Sequence, residues 1–231
     1  MANGTIFIIL VVFPFVFAFA GNKAKSKNIK NKNVFYGKEI LTSLFLLLLI
    51  LLLNPRIYKP LDFQIIGKGI YLGDDILSVI EPIFFIPLVF ALTSLGKLYP
   101  KNIAITKELY GYPVGLLPDN GRQYAVFFFY IIAGVVFEEL FCRQFMFYSF
   151  HQVLNLKGDI LLIITSLLFA AGHLYQGWKG LVSSFAIGMI LGKIFQMTGN
   201  IFYPIGLHLA GNLTIAVLAF RRIKDLQRIN T

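Results

Sequence analysis

Two adjacent carboxylates, Glu138 and Glu139, lie in a run from Tyr124 to Tyr148 that otherwise has the composition of a membrane helix. A carboxylate at bilayer depth costs about 2.5 kcal/mol or more, so each needs a partner or a use. Arg143 follows Glu139 at i+4 with the acid on the N-terminal side, the favoured order for a helical ion pair. The spacing therefore assigns Glu139 to a structural pair with Arg143. Glu138 lies about 100° around the helix from Glu139, and its own segment offers it no obvious partner. It must meet another helix or a water-filled cavity. From this pair alone, a structural carboxylate bonded across helices and a chemically active one are equally good readings.

Further along the chain are residues that would give Glu138 something to do. Phe169 and His173 share a helix face at i, i+4, with the small Ala170, Ala171 and Gly172 between them allowing close helix approach. His208 and Asn212 share a face in the last apolar stretch. A carboxylate beside a histidine can deprotonate a water for attack on a peptide carbonyl. Two donors on one helix face suit the oxyanion that results. The bland alternative for each is helix-to-helix hydrogen bonding, which is common in membranes. If the chemical reading holds, Glu138, His173, His208 and Asn212 should converge on one wet cavity within the bilayer. His151, the remaining histidine, reads as a turn residue after the fourth span.

The elements that must position these groups are membrane helices. Of the 231 residues 57% are hydrophobic and 14% charged, against about 25% charged in a soluble domain. The fold class expected is all-α, a polytopic transmembrane helical bundle of about seven spans, near 4–20, 39–54, 76–96, 124–148, 160–176, 180–198 and 201–220. The apolar stretch from Leu61 to Gly73, broken by Gly67, Lys68 and Gly69, reads as interfacial. The net charge of +10 does not call for nucleic acid, because the basic residues collect at helix ends, where topology explains them. With the N-terminus outside, 15 Lys and Arg fall in inside segments and 4 in outside ones. That predicts a cytoplasmic C-terminus. The run at 6–17 lacks the preceding positive charge of a signal peptide and is followed by a Lys-rich block, so a retained first helix is expected. Gly21 to Asn33 reads as a solvated Lys/Asn loop. Gly188 and Gly192 form a small-xxx-small face for packing within the bundle, Lys193 is placed to snorkel, and Tyr175, Trp178 and Tyr203 look like interface anchors. Cys142 is the only cysteine, so no intrachain disulfide and no cysteine-based metal cluster can form.

Taken together, Glu138-Glu139-Leu140-Phe141-Cys142-Arg143, Phe169 through His173, and His208 through Asn212 resemble the EExxxR, FxxxH and HxxxN motifs of the CPBP family. These are the CAAX prenyl proteases and the bacteriocin-processing or immunity (Abi) proteins. The three motifs occur in order on separate expected spans, and the resemblance runs from about Tyr124 to Phe220. It implies an α-helical glutamic intramembrane endopeptidase in which Glu138 activates water, assisted by His173. His208 and Asn212 would form the oxyanion hole, and Glu139, Arg143 and Phe169 would support them. It implies no cofactor and no metal. The partners would be a peptide or protein substrate, hydrophobic or lipidated, and the lipid bilayer of a bacterial cell. Gln144, where bacterial members often place glycine, and Cys142, in place of a usual aromatic, depart from the pattern without touching the proposed chemical groups. The segment from Met197 to Asn200 leading into Pro204 and His208 is closer to bacterial members than to eukaryotic prenyl proteases, which points away from a prenylated CAAX substrate.

The chain then divides into N-terminal spans with a Lys-rich loop and linker (1–123), a catalytic helical core (124–220) and a basic tail (221–231). Three other mechanisms compete. A zinc protease would use two histidines and a glutamate as ligands, but there is no HExxH. A cysteine protease would use Cys142. A non-catalytic immunity or scaffold protein, or a proton-relaying transporter, would use the same buried groups without hydrolysis. An inverted repeat, the mark of many transporters, is absent.

Overall fold

The computed structural model describes residues 31–53 and 116–229, together with positions 12, 29, 108–109 and 112–113. The expected spans 4–20 and 76–96 and the segment 61–73 lie outside these residues. The described elements are α1 (Lys32–Leu53), a two-residue antiparallel ladder of β1 (Glu108–Leu109) with β2 (Tyr112–Pro113), α2 (Gly121–Glu139), a π-helical segment (Leu140–Met146), α3 (Phe147–Leu154), α4 (Gly158–Gly172), a 3-10 turn (Leu174–Gln176), α5 (Gly177–Thr198) and α6 (Phe202–Ile229). Among the described residues, four helical stretches are long and apolar enough to cross a membrane: Lys32–Leu52, Gly121–Leu154, Gly180–Thr198 and Phe202–Arg221. Gly158–Gly172 is apolar but shorter. The chain is a helical, multi-pass membrane protein.

Asparagines start three of these helices. Asn31 Oδ1 accepts from the Val34 amide and Asn200 Oδ1 from the Phe202 amide. At α2, Asn120 Oδ1 accepts from the Gln123 amide, while the Gln123 side chain reaches back to the Asp119 amide at 2.8 Å. This reciprocal arrangement satisfies donors that a helix start otherwise leaves open. The Pro118-Asp119-Asn120-Gly121 segment, rich in turn-forming residues, supplies this cap. At the other ends, left-handed Asn155 stops α3 and left-handed Gly199 stops α5, with the Gly199 amide on the Phe195 carbonyl at 2.8 Å.

The described chain packs as two compact units. The first takes in the end of α1 and residues 137–204. Its core combines Phe137, Phe141, Phe145, Met146, Phe147 and Phe150 with Leu161, Leu162 and Phe169 of α4, Phe195 of α5 and Ile50 of α1. Gly188 and Gly192 bring α5 against α4. A Cβ on Gly188 would lie 3.2 Å from Ser166 Cβ and 3.3 Å from the Phe169 ring, and one on Gly192 would lie 2.5 Å from a Leu162 methyl. The small-residue face thus serves packing within the bundle, as expected. Lys193, expected only to snorkel, pairs with Asp159 at 3.1 Å, and Gln196 donates to the Gly158 carbonyl at 2.9 Å.

The second unit takes in the start of α1, residues 116–136 and α6 from Ile205. Tyr36, Leu117, Phe127, Ile131, Ala216 and Ala219 form its core. Lys32 corrects the loop assignment, since it opens α1 instead of sitting in a solvated loop. Its side chain is buried, with Nζ on the Leu117 carbonyl and the Asp119 carboxylate. Tyr36 donates to the Leu116 carbonyl. The segment ahead of α2 is thereby tied to α1.

Replacing Gly188 by valine should force α4 and α5 apart, because the contact it meets is partly backbone. The expected cost is about 1–3 kcal/mol, read as a lower melting temperature in detergent and reduced accumulation in the membrane.

Candidate active site

The fourth span was expected to be a plain α-helix ending near Tyr148. The helix instead runs from Gly121 to Leu154 and changes to i→i+5 bonding over Leu140–Met146, directly after the glutamate pair. Such a π segment shifts every side chain beyond it relative to an uninterrupted α-helix. Glu138 is half-buried and Glu139 is completely buried. Glu139 meets Arg143 with Oε2 3.1 Å from Nε, both side chains out of solvent. This is the pairing the spacing predicts, an ion pair by distance.

Arg143 does more than neutralise one charge. Its Nη2 donates to the Gly188 carbonyl of α5 at 3.3 Å, and its guanidinium carbon lies 4.8 Å from the centre of the Phe169 ring on α4. Phe169 in turn holds His173. The two rings are 4.7 Å apart, and His173 Nδ1 is 2.9 Å from the Phe169 carbonyl. A carbonyl can only accept, so Nδ1 carries a proton, and in the neutral ring Nε2 is left as the acceptor. Glu139, Arg143, Phe169 and His173 thus form one chain of contacts through three helical segments, all within the first unit.

His173 is not inside a helix. The expected span 160–176 stops as a helix at Gly172, and His173 (φ −103°, ψ 11°) is the cap between α4 and the 3-10 turn. Its amide bonds back to the Ala170 carbonyl and its carbonyl accepts from the Gln176 amide, each at 2.9 Å. Gly177 then takes φ 78°, ψ −173°, a conformation open essentially to glycine alone, and the chain enters α5. The run of small residues before His173 gave no notice that the helix ends there.

His208 and Asn212 lie on the unbroken α6, one turn apart and both half-buried, in the second unit. Cys142 is buried. His151 is in the last turn of α3, not in a loop, with Nδ1 3.1 Å from the Leu156 carbonyl. Among the described residues, no three His, Cys, Asp or Glu side chains gather as a metal site would require. Sequence reasoning missed the Gly188 carbonyl as a partner of Arg143 and the roles of Tyr175 and Gln176 beside His173. The first lies 45 residues away along the chain, and nothing local could have signalled it.

Residues 120–214 match the family model for the type II CAAX prenyl endopeptidase, Rce1-like. The match opens at the asparagine that caps α2 and closes two residues past Asn212, so it contains all three motifs. It spans under half of the chain. It supports the CPBP/CAAX protease family for this segment and, at the level of that family, a CAAX-type intramembrane peptidase. No curated protein and no solved structure matches the chain.

Arg143→Ala should leave the Glu139 carboxylate buried without its counter-charge, at a cost of about 3–5 kcal/mol. The expected result is poor accumulation in the membrane, checked by immunoblot and thermal unfolding, with partial recovery when Glu139→Gln is added. Gly177→Ala should introduce about 1–3 kcal/mol of backbone strain beside His173 and lower stability measurably in the same assay.

Proposed function

We propose that this protein is an intramembrane glutamic endopeptidase that hydrolyses a peptide bond in a hydrophobic or membrane-associated peptide or protein. The observation that carries the reading is the family match over residues 120–214, because it spans Glu138, His173, His208 and Asn212 together in the order the motifs require. In the proposed reaction the Glu138 carboxylate takes a proton from water as that water attacks the scissile carbonyl. The Nδ1–Phe169 hydrogen bond leaves His173 Nε2 to accept from, or, once protonated, donate to, the same centre. His208 and Asn212 donate to the oxygen on which negative charge develops. Collapse of the tetrahedral intermediate then breaks the C–N bond, and the proton taken from water goes to the departing amine. Glu139, Arg143 and Phe169 hold the base and the histidine in place. The catalytic core is taken as 124–220, in a chain with a cytoplasmic C-terminus in a bacterial membrane. The matched family model is described by prenylated CAAX substrates. The bacterial character of the segment from Met197 to His208 favours a membrane-associated peptide without that lipid.

A second reading, a non-catalytic immunity or scaffold protein of the same family, would keep the buried groups for packing alone. Substrate trapping in native membranes with Glu138→Gln, followed by peptide mass spectrometry, separates the two. Proteolysis predicts a substrate that accumulates uncleaved in the variant and appears cleaved in the wild type. Glu138→Gln should abolish cleavage, and Asn212→Ala should lower kcat about 10²–10³-fold. Cys142→Ala and added chelator should leave the activity unchanged. Full activity in Glu138→Gln would sink the mechanism.

A further inference from the structure

The turn that carries His173 also carries Tyr175, a residue the sequence reads as an interface anchor beside Trp178. The two differ in their surroundings. Trp178 is 75% exposed, as an anchor should be, whereas Tyr175 is half-buried. Its ring stacks on the His173 imidazole, with centroids 6.1 Å apart and planes at 26°. Phe169 packs against the same imidazole at 4.7 Å, so His173 has aromatic neighbours from both directions along the chain. The Tyr175 hydroxyl accepts from Gln176 Nε2 at 3.1 Å. That bond tethers the ring and leaves the hydroxyl proton for another acceptor. Tyr175 is therefore held at its hydroxyl by Gln176 while its ring lies against His173, and all three belong to the first unit.

We propose that Tyr175 is a positioning residue: its ring, tethered through Gln176, fixes the His173 imidazole, and so aims Nε2 at the reacting centre. The second half of this statement rests on the proteolytic reading. The first half does not. The backbone supports the assignment, because the 3-10 turn and the glycine-only conformation of Gly177 set where residue 175 falls relative to residue 173. Stacked aromatic pairs add modestly to burial, enough to select one ring orientation in a side chain already held at Nδ1.

The chain has three histidines, so selective histidine labelling of the full-length protein in detergent gives three imidazole signals, with that of His173 identified by its loss in His173→Ala. Tyr175→Leu should move the His173 ring signals as the stacked ring is removed, and Tyr175→Phe should keep them near their original positions. Activity is read with a quenched fluorescent farnesylated CAAX peptide and, in parallel, an unlipidated hydrophobic peptide of the same length. Tyr175→Phe, which keeps the ring but loses the Gln176 tether, should lower kcat by about twofold to tenfold, the worth of one neutral hydrogen bond, with KM unchanged. Tyr175→Leu should lower it further, at wild-type thermal stability for the phenylalanine variant. His173 signals that ignore Tyr175→Leu, or a Tyr175→Phe enzyme with wild-type kcat, would overturn the proposal. A Glu138→Gln enzyme that still cleaves, or a wild type that cleaves neither peptide while the His173 signals follow residue 175, counts against the proteolytic reading and leaves the positioning of His173 standing.

Discussion

Everything in the first unit depends on hiding one carboxylate. Glu139 is fully out of solvent, and a charge in that position is tolerable only with a counter-charge held close. Arg143 supplies it, and a guanidinium with five donors cannot be buried for one contact alone. It also reaches the Gly188 carbonyl on α5 and lies over the Phe169 ring on α4. A local i, i+4 pair thereby becomes a tie among three segments distant in sequence. Its geometry reaches His173, because the residue that packs on Arg143 is the one whose carbonyl fixes the imidazole. Gly188 takes part twice, through its carbonyl and through the missing side chain that lets α4 come close enough for Phe169 to reach Arg143.

The pairing of Glu139 with Arg143 was legible in the sequence because helix periodicity is a local property. The i, i+4 offset named Arg143 as the partner of Glu139, and the structure has them 3.1 Å apart. The small-xxx-small face of Gly188 and Gly192 was legible for the same reason. What could not be read was where the helical register changes. Leu140–Met146 contains neither proline nor glycine, and nothing in Leu-Phe-Cys-Arg-Gln-Phe-Met marks a π segment. It coincides with the residues whose packing involves α4 and α5, so the information lies in tertiary contacts. The end of α4 was hidden likewise. Ala170, Ala171 and Gly172 extend the apolar pattern, and only the hydrogen bonds around His173 show that the helix has stopped. Lys32 was misread because a run of lysines and asparagines suggests solvent, and its partners, Leu117 and Asp119, are more than eighty residues away.

The same comparison explains why the packing of Tyr175 on His173 went unnoticed. Aromatic residues near the ends of apolar stretches are usually boundary markers, and both Tyr175 and Trp178 were read that way, although only Trp178 is exposed. A boundary assigned by composition sits at the edge of the bilayer, whereas this one sits at the end of a helix that stops early.

The brevity of α4 brings the thickness of the lipid into the argument. Fifteen residues at about 1.5 Å each give a rod of about 22 Å, against a hydrocarbon layer of about 30 Å. To cross such a layer, α4 would need thinning of the surrounding lipid or a following turn that lies below the headgroups. The turn after α4 has its backbone groups on His173, Ala170 and Gln176 accounted for, and irregular backbone at depth is tolerated only against protein or trapped water. For a helix of this length crossing a bilayer, the depth of a histidine at its end would be set jointly by chain length and by acyl-chain length, which would make the lipid one of the elements that shape its surroundings.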